Sequence, residues 1–259
     1  MYSREQEQEE IRRSAVEAER RSQVINVNLV NLKRYANPPA DTPFPLEYSF
    51  HLLHDSLRSM PNASVLDYGC GVGEDLVPIA KAGVDVIGLD ISPELIELAR
   101  KRAEAYGVKA RFIVGSAYDT GLPSQSIDIV FAMAIFHHLE LAEAKRELLR
   151  VLRPGGVLIL QEPVRDSKWM AHLRSFFPVS EEVSAFESPL TRGQLDSFSE
   201  GFHCDAVRRF RLPFVAVAER VSRRPNRSVY TWDSRMLHSF RRLSHFASVE
   251  VRRLSYRVH

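Results

Sequence analysis

Apolar and polar positions fall into a regular rhythm only in the middle of the chain. Ser64-Val-Leu-Asp-Tyr68 is a short apolar run that predicts a strand, and Glu74 to Ala82 predicts a helix. Val84 to Leu89 predicts a second strand, followed by a helix over Pro93 to Tyr106. Ser92 is placed to cap that helix, Pro93 suits its first turn, and Gly107 suits a left-handed stop. Ala110 to Val114 and Ile127 to Ala132 predict the third and fourth strands. Leu141 to Leu152 predicts a helix, and Pro154-Gly-Gly156 turns into a fifth strand over Val157 to Gln161. Strand and helix in alternation predict an α/β fold, a mostly parallel sheet with helices on both faces. The strands are nearly unbroken apolar runs, as strands covered on both sides require.

The flanks are less regular. Residues 3 to 23 are rich in Glu, Arg and Gln and predict an exposed helix, its apolar stripe limited to Ile11, Ala15 and Ala18. Residues 36 to 45 hold four prolines and predict a linker or draped loop. Leu46 to Met60 predicts a helix with Tyr48, Leu52, Leu53 and Leu57 near one face. Beyond Pro163, helices are expected over Lys168 to Phe177, Thr191 to Phe198 and Ser234 to His245. Cys204 to Leu212 and Ala247 to Leu254 are expected as the last two strands of the same sheet. The chain thus divides into residues 1–62, helices and a lid-like segment, and a core over 63–259, with 164–203 and 213–246 inserted on the substrate side. Tyr35, Phe44, Tyr48 and Phe50 surround the proline-stiffened stretch and make the first segment a candidate cover for the open strand ends.

With 259 residues, 44% of them apolar, one α/β domain can bury a full core. No stretch approaches the roughly 20 apolar residues of a membrane span. Met1 to Glu10 is charged and lacks the apolar region of a secretory signal. Cys70 and Cys204 make neither a disulfide framework nor a zinc site, so a cytoplasmic location and no metal are expected. Arginines are scattered from Arg208 to Arg257 against only Asp205, Glu219, Asp233 and Glu250. They read as a solvated surface, with an anionic substrate, a membrane surface or a nucleic acid as alternatives.

The chemistry is concentrated in Val65-Leu-Asp-Tyr-Gly-Cys-Gly-Val-Gly73, where a strand runs into a glycine-rich turn before a helix. In a doubly wound sheet such a turn lies where ligands bind. Asp90 ends the second strand about 20 residues on, where a carboxylate can accept the hydroxyls of a ribose. The dinucleotide fingerprint Gly-x-Gly-x-x-Gly is not met, because Glu74 stands at its last position. Asp67 would repel a pyrophosphate but suits a cation, which points to a nucleoside with a positive amino-acid tail.

These segments resemble the class I S-adenosylmethionine-dependent methyltransferases, most closely the small-molecule branch called type 11. The likeness covers about residues 63 to 163. Its motifs are Val65 to Gly73, Gly88-Leu-Asp-Ile-Ser92, Gly115-Ser-Ala117 with Leu122-Pro123, Ser126-Ile-Asp-Ile-Val-Phe131, and Leu152-Arg-Pro-Gly-Gly156. The resemblance implies a Rossmann-like fold of seven strands with the last antiparallel. It also implies S-adenosyl-L-methionine as cofactor, held by Asp67, Gly69, Cys70, Gly71, Gly73, Asp90, Ile91, Ser116, Ala117 and Ala132. Ser116 departs from the pattern, since the family usually has an acid there to accept the adenine amino group. His137 and His138 follow the fourth strand and Glu162 the fifth, where the family places residues beside the transferred methyl. They are candidate catalytic groups, a histidine being able to take a proton from a hydroxyl at neutral pH.

The expected function is methyl transfer to a small molecule, at oxygen. The alternatives are methylation of RNA or protein, or a subunit that binds the cofactor without turnover. No recognisable nucleic-acid-binding module is appended, which weighs against the first of these.

Overall fold

In a computed structural model of the chain, residues 4–22, 32–165, 189–222 and 226–257 are described. Three helices precede the sheet: α1 (Arg4–Ser22), α2 (Leu32–Ala36) and α3 (Pro45–Ser59). The alternating core follows as β1 (Ser64–Tyr68), α4 (Leu76–Lys81), β2 (Asp85–Asp90), α5 (Pro93–Ala105), β3 (Arg111–Val114), β4 (Ile127–Met133), α6 (Leu141–Val151) and β5 (Leu152–Pro163). The C-terminal part supplies α7 (Arg192–Ser199), β6 (Phe202–Phe210), α8 (Pro213–Ser222), α9 (Arg227–Ser239) and β7 (Val249–Tyr256).

The strands form one seven-stranded sheet in the order β3-β2-β1-β4-β5-β7-β6. The first five are parallel, and β7 runs antiparallel to both β5 and β6. Strand order reverses between β1 and β4, the position at which such sheets open a ligand crevice. One face is covered by α3, α4 and α5 through Phe50, Leu53, Leu76, Ile79 and Ile96. The other is covered by α6 and α7 through Leu148, Val151, Leu195 and Phe198.

Local signals account for most boundaries. The Ser92 hydroxyl accepts from the Leu95 N–H at 3.2 Å with Pro93 in the first turn, and Gly107 at φ 61° ends α5. Thr191 and Gln194 close a reciprocal capping box at the start of α7. The fifth strand starts earlier than predicted: Leu152 pairs with Ile127, and the register shifts before Ile129 meets Val157. The Pro154-Gly-Gly turn is thereby absorbed into a bulged strand.

Three helices depart from expectation: the short α2, which the sequence analysis did not mark, α8 and α9. α8 was not predicted, because only Val215 in it is fully buried while Val217 and Val221 face outward, leaving no stripe to read. α9 begins at Arg227, earlier than the predicted Ser234, because Asn226 accepts from the Ser228 N–H at 2.9 Å and starts it. It also stops at Ser239, and a 3₁₀ turn over Arg241–Phe246 carries the rest of the predicted span. The helix expected over Lys168 to Phe177 lies outside the described residues. No helix among the described residues is long and apolar enough to cross a membrane.

The N-terminal aromatics are packed into the core. Tyr35 lies on Phe50 at 4.7 Å between ring centroids, and Phe50 lies on Phe131 of β4 at 5.0 Å. Phe44 meets Tyr230 of α9 at 4.6 Å, and Tyr48 meets Phe210 of β6 at 5.8 Å. They fasten the 32–59 segment to the sheet and to α9, and none of these four aromatics lines the cavity at the strand ends. It is α1 that reaches over the strand ends, with Ala18 packed among Val72, Leu95 and Leu98.

Candidate functional site

A cavity of about 330 Å³ opens at the carboxyl ends of β1 to β4. Each parallel strand contributes the residues just past its end, as the topology requires. Gly69, Cys70 and Gly71 come from the turn after β1, Asp90 and Ile91 from the end of β2, and Ser116 and Ala117 from the turn after β3. Ala134, Ile135 and His138 follow β4, and Glu7, Glu10 and Ser14 of α1 close the cavity from above.

The glycine-rich turn is shaped for close approach. Gly69 has φ +79°, a left-handed backbone that favours glycine, where this turn meets the Ile135 side chain of the turn after β4. Gly71 has φ +49°, and a Cβ there would enter open cavity space. Gly73 lies outside the cavity and faces Ala99 of α5 instead. The turn is held by Asp90, whose carboxylate accepts from Gly71 N at 2.9 Å and from Ser92 N at 3.0 Å.

The cavity is acidic. Glu7, Glu10, Glu74, Asp75 and Asp90 line it, with no lysine or arginine among the described residues of its walls. Beneath the turn, Asp67 is buried, and its Oδ2 has no hydrogen-bond partner among the described residues. Burial, then the nearby Asp75 and Asp90, push its pKa well above the ordinary carboxylate range. Burial and Glu74 push Asp75 up to about 7. Burial, with Asp67 and Asp90, likewise raises the Cys70 thiol and keeps it neutral. Asp67 and Asp75, held back from ionising by burial and by neighbouring carboxylates, would be relieved by a positive charge placed beside them. The open space over Gly71 and the unpartnered Asp67 oxygen fit a ligand with a positive group seated on this turn.

Ser116 Oγ accepts from Tyr118 N at 3.1 Å and donates to Glu7 Oε1 at 2.9 Å. A carboxylate from α1 therefore sits beside the position where the sequence lacks one. This was not read from the sequence, because a polar helix face carries no mark of what it covers. Glu10 lies 3.9 Å from His138 Nδ1, joining α1 to the turn after β4 as well.

The three candidate catalytic groups are placed differently from one another. His138 lines the cavity. His137 lies against it, tilted, at 4.0 Å between ring centroids and outside the cavity. Glu162 is not on the rim, as the sequence had suggested, but fully buried. Its Oε1 accepts from Ile135 N at 2.8 Å and Phe136 N at 2.7 Å, and its Oε2 pairs with His137 Nδ1 at 2.9 Å. Glu162 thus fastens the turn from within the protein. Just before that turn, Ala134 has φ 55°, a left-handed conformation rare outside glycine, and its N–H donates to Gln161 O at 2.7 Å. Ala132 is also wholly buried and outside the cavity. No cluster of metal-ligating side chains occurs among the described residues.

Residues 66–160 match the family described as a methyltransferase domain. Among curated proteins, 2-methyl-6-phytyl-1,4-hydroquinone methyltransferase of Synechocystis is 29% identical over 181 residues, covering 66% of this chain and 52% of that protein. Ubiquinone biosynthesis O-methyltransferase of Azorhizobium caulinodans is 30% identical over 124 residues, covering 47% and 49%. The chain spans about half the length of these relatives. Among solved structures, the cyclase SpnF superposes with a TM-score of 0.56 at 18% identity, covering 83% of this chain and 82% of that one, a likeness of fold alone.

Proposed function

We propose that the chain is a class I S-adenosylmethionine-dependent methyltransferase, as the match of residues 66–160 to a methyltransferase domain supports, and that it transfers the methyl group of that cofactor to a small molecule, at oxygen. The observation that carries this reading is the acidic cavity on the glycine-rich turn, complementary to a ligand that is both nucleoside and cation. When bound, S-adenosylmethionine supplies an electrophilic methyl on a sulfonium, so the protein's task is to align the acceptor and exclude water.

On this reading the Gly69–Gly71 turn lies under the methionine part, with Asp67 and Asp75 placed to lose their protons and gain charge beside its cationic end. Asp90 holds the ribose and Ile91 flanks the adenine, with Ala117 beside it. Glu7, reaching Ser116, supplies the carboxylate that the family usually carries at position 116. Helix α1 is the cover of the 1–62 segment, and residues 164–203 and 213–246 shape the acceptor side. His138 is the group placed to meet an acceptor hydroxyl; His137 and Glu162 are positioning residues that hold the turn carrying it. The hydroquinone and ubiquinone relatives support a small-molecule acceptor. Cys70 and Cys204 are both free, which suits the cytoplasmic location that completes the proposal.

The cyclase neighbour shows that this fold by itself does not name a reaction. The test is transfer of a labelled methyl group into small-molecule extracts, total RNA and total protein, with Asp90→Ala as control. Label in the small-molecule fraction only, lost in the variant, is the expected result. Label in RNA or protein would overturn the acceptor class. No label anywhere, with cofactor bound, would overturn turnover itself.

A further inference from the structure

We infer that the protein has a second ligand site, for a phosphorylated small molecule, in the groove between β6, the loop at residues 40–43 and helix α9. The groove measures about 1000 Å³ and shares no wall residue with the cofactor cavity. Its charge is opposite in sign. Arg208 and Arg209 enter from β6, Arg227 and Arg235 from α9, and Asp41 is the only carboxylate among the described residues of its walls.

The arrangement follows from helix geometry. Arg227, Thr231, Ser234 and His238 of α9 stand at i, i+4, i+7 and i+11 and so share one face, which is turned toward the groove. Arg208 is fixed opposite. Its guanidinium donates to Ala40 O at 2.7 Å and to Ser234 Oγ at 2.9 Å, and lies 4.9 Å from the Tyr48 and Phe210 ring centroids. Burial lowers its pKa, with Tyr48, Asp41 and Asp233 acting in the opposite direction. Arg209 is taken up by Glu250 at 2.8 Å. Arg227 and Arg235 are exposed and have no carboxylate partner among the described residues.

Several guanidiniums and hydroxyls facing one space present mainly hydrogen-bond donors, which suits the acceptor-only oxygens of a phosphate or diphosphate. A groove of this volume takes a whole metabolite rather than a single ion. Apart from His238 no aromatic ring lines it among the described residues, so these supply no stacking platform of the kind by which single-stranded nucleic acids are held. The groove also opens at the same end of the sheet as the cofactor cavity. Arg209 lies opposite Glu250, and Glu250 lies opposite Glu162 near the carboxyl end of β5.

The probe is inorganic pyrophosphate, titrated calorimetrically into the whole protein with and without saturating S-adenosylhomocysteine. One site is expected, indifferent to the nucleoside. In the Arg227→Ala/Arg235→Ala variant its affinity should fall by about tenfold or more, the loss of one or more charge-assisted hydrogen bonds. S-adenosylhomocysteine affinity and unfolding temperature should be unchanged in that variant. Should the double variant not fold, Arg235→Gln alone is expected to weaken pyrophosphate at least severalfold. The proposal is overturned if pyrophosphate does not bind at millimolar concentration, binds folded variants as tightly as the parent, or competes with S-adenosylhomocysteine. Displacement by single-stranded RNA at lower concentration than pyrophosphate itself would also overturn it, assigning the groove to nucleic acid.

Discussion

The Ser116 hydroxyl donates to the Glu7 carboxylate across 2.9 Å, joining two residues 109 positions apart in the chain. One is in the turn after β3 and the other on a helix that precedes the whole sheet. Through this bond the cavity's wall and its cover meet at the proposed adenine edge.

If Glu7 supplies the missing carboxylate there, Glu7→Ala should weaken S-adenosylhomocysteine by about 1.5–3 kcal/mol, the worth of one charge-assisted hydrogen bond. Ser116→Asp alone should weaken it too, since two carboxylates would then face each other. Combined with Glu7→Ala, Ser116→Asp should restore part of the affinity. Calorimetry on the four proteins closes a double-mutant cycle, and simple additivity would show that the two positions do not share a ligand atom.

The glycines of the turn separate binding from stability. Gly71→Val puts its side chain into open cavity space, so cofactor binding should vanish while the protein stays folded at a strain cost of about 1–3 kcal/mol. Gly73→Val would press on the Ala99 backbone, 3.3 Å from the new Cβ, and should lower the unfolding temperature more than the other variant does. Thermal unfolding and S-adenosylhomocysteine titration, run together on both, read the two effects apart.

Asp75 gives stability a definite pH dependence. Its folded pKa of about 7 lies above the ordinary 3.8, so between those values the folded state holds a proton that the unfolded state has lost. Stability should therefore fall as pH rises from about 4 to 7, then level off. Asp67, shifted in the same direction, adds to the same slope. Asp75→Asn should be more stable than the parent at pH 8 and show a shallower slope below 7. Denaturant unfolding at a series of pH values checks this; a parallel slope in both proteins would remove Asp75 as its source.

Glu162 separates holding the turn from charging it. Glu162→Ala leaves two N–H groups and the His137 ring without their acceptor and should cost about 3–5 kcal/mol. Glu162→Gln keeps a carbonyl oxygen for both N–H groups and should cost much less. Its amide would then donate to His137 Nδ1, moving the ring proton to Nε2. Nitrogen NMR of the imidazole detects that change of tautomer, and an unshifted spectrum would show that Glu162 does not set it.

The sequence by itself determined the alternating core, the ligand turn and the carboxylate at Asp90, because each is a local pattern. Apolar runs mark strands buried on both faces. Glycines mark the turn, and Ser92, Pro93 and Gly107 mark the limits of one helix. The two late strands were legible for the same reason, and their pairing with β5 completes the seven-stranded sheet. What the tertiary structure alone decided are relations between distant segments. Glu162 reads as a rim carboxylate until β5 is seen to bury it under the turn after β4. The aromatics around the proline stretch read as a cover until Phe50 is found on Phe131 and Phe44 on Tyr230. Glu7 and Glu10 look like solvated helix charges, as do the arginines of α9. Which polar face meets solvent and which closes a cavity depends on where the helix docks, and for α1 that is set by Ala18 against Val72, Leu95 and Leu98. So small an apolar contact leaves almost no trace in the pattern of the helix that makes it.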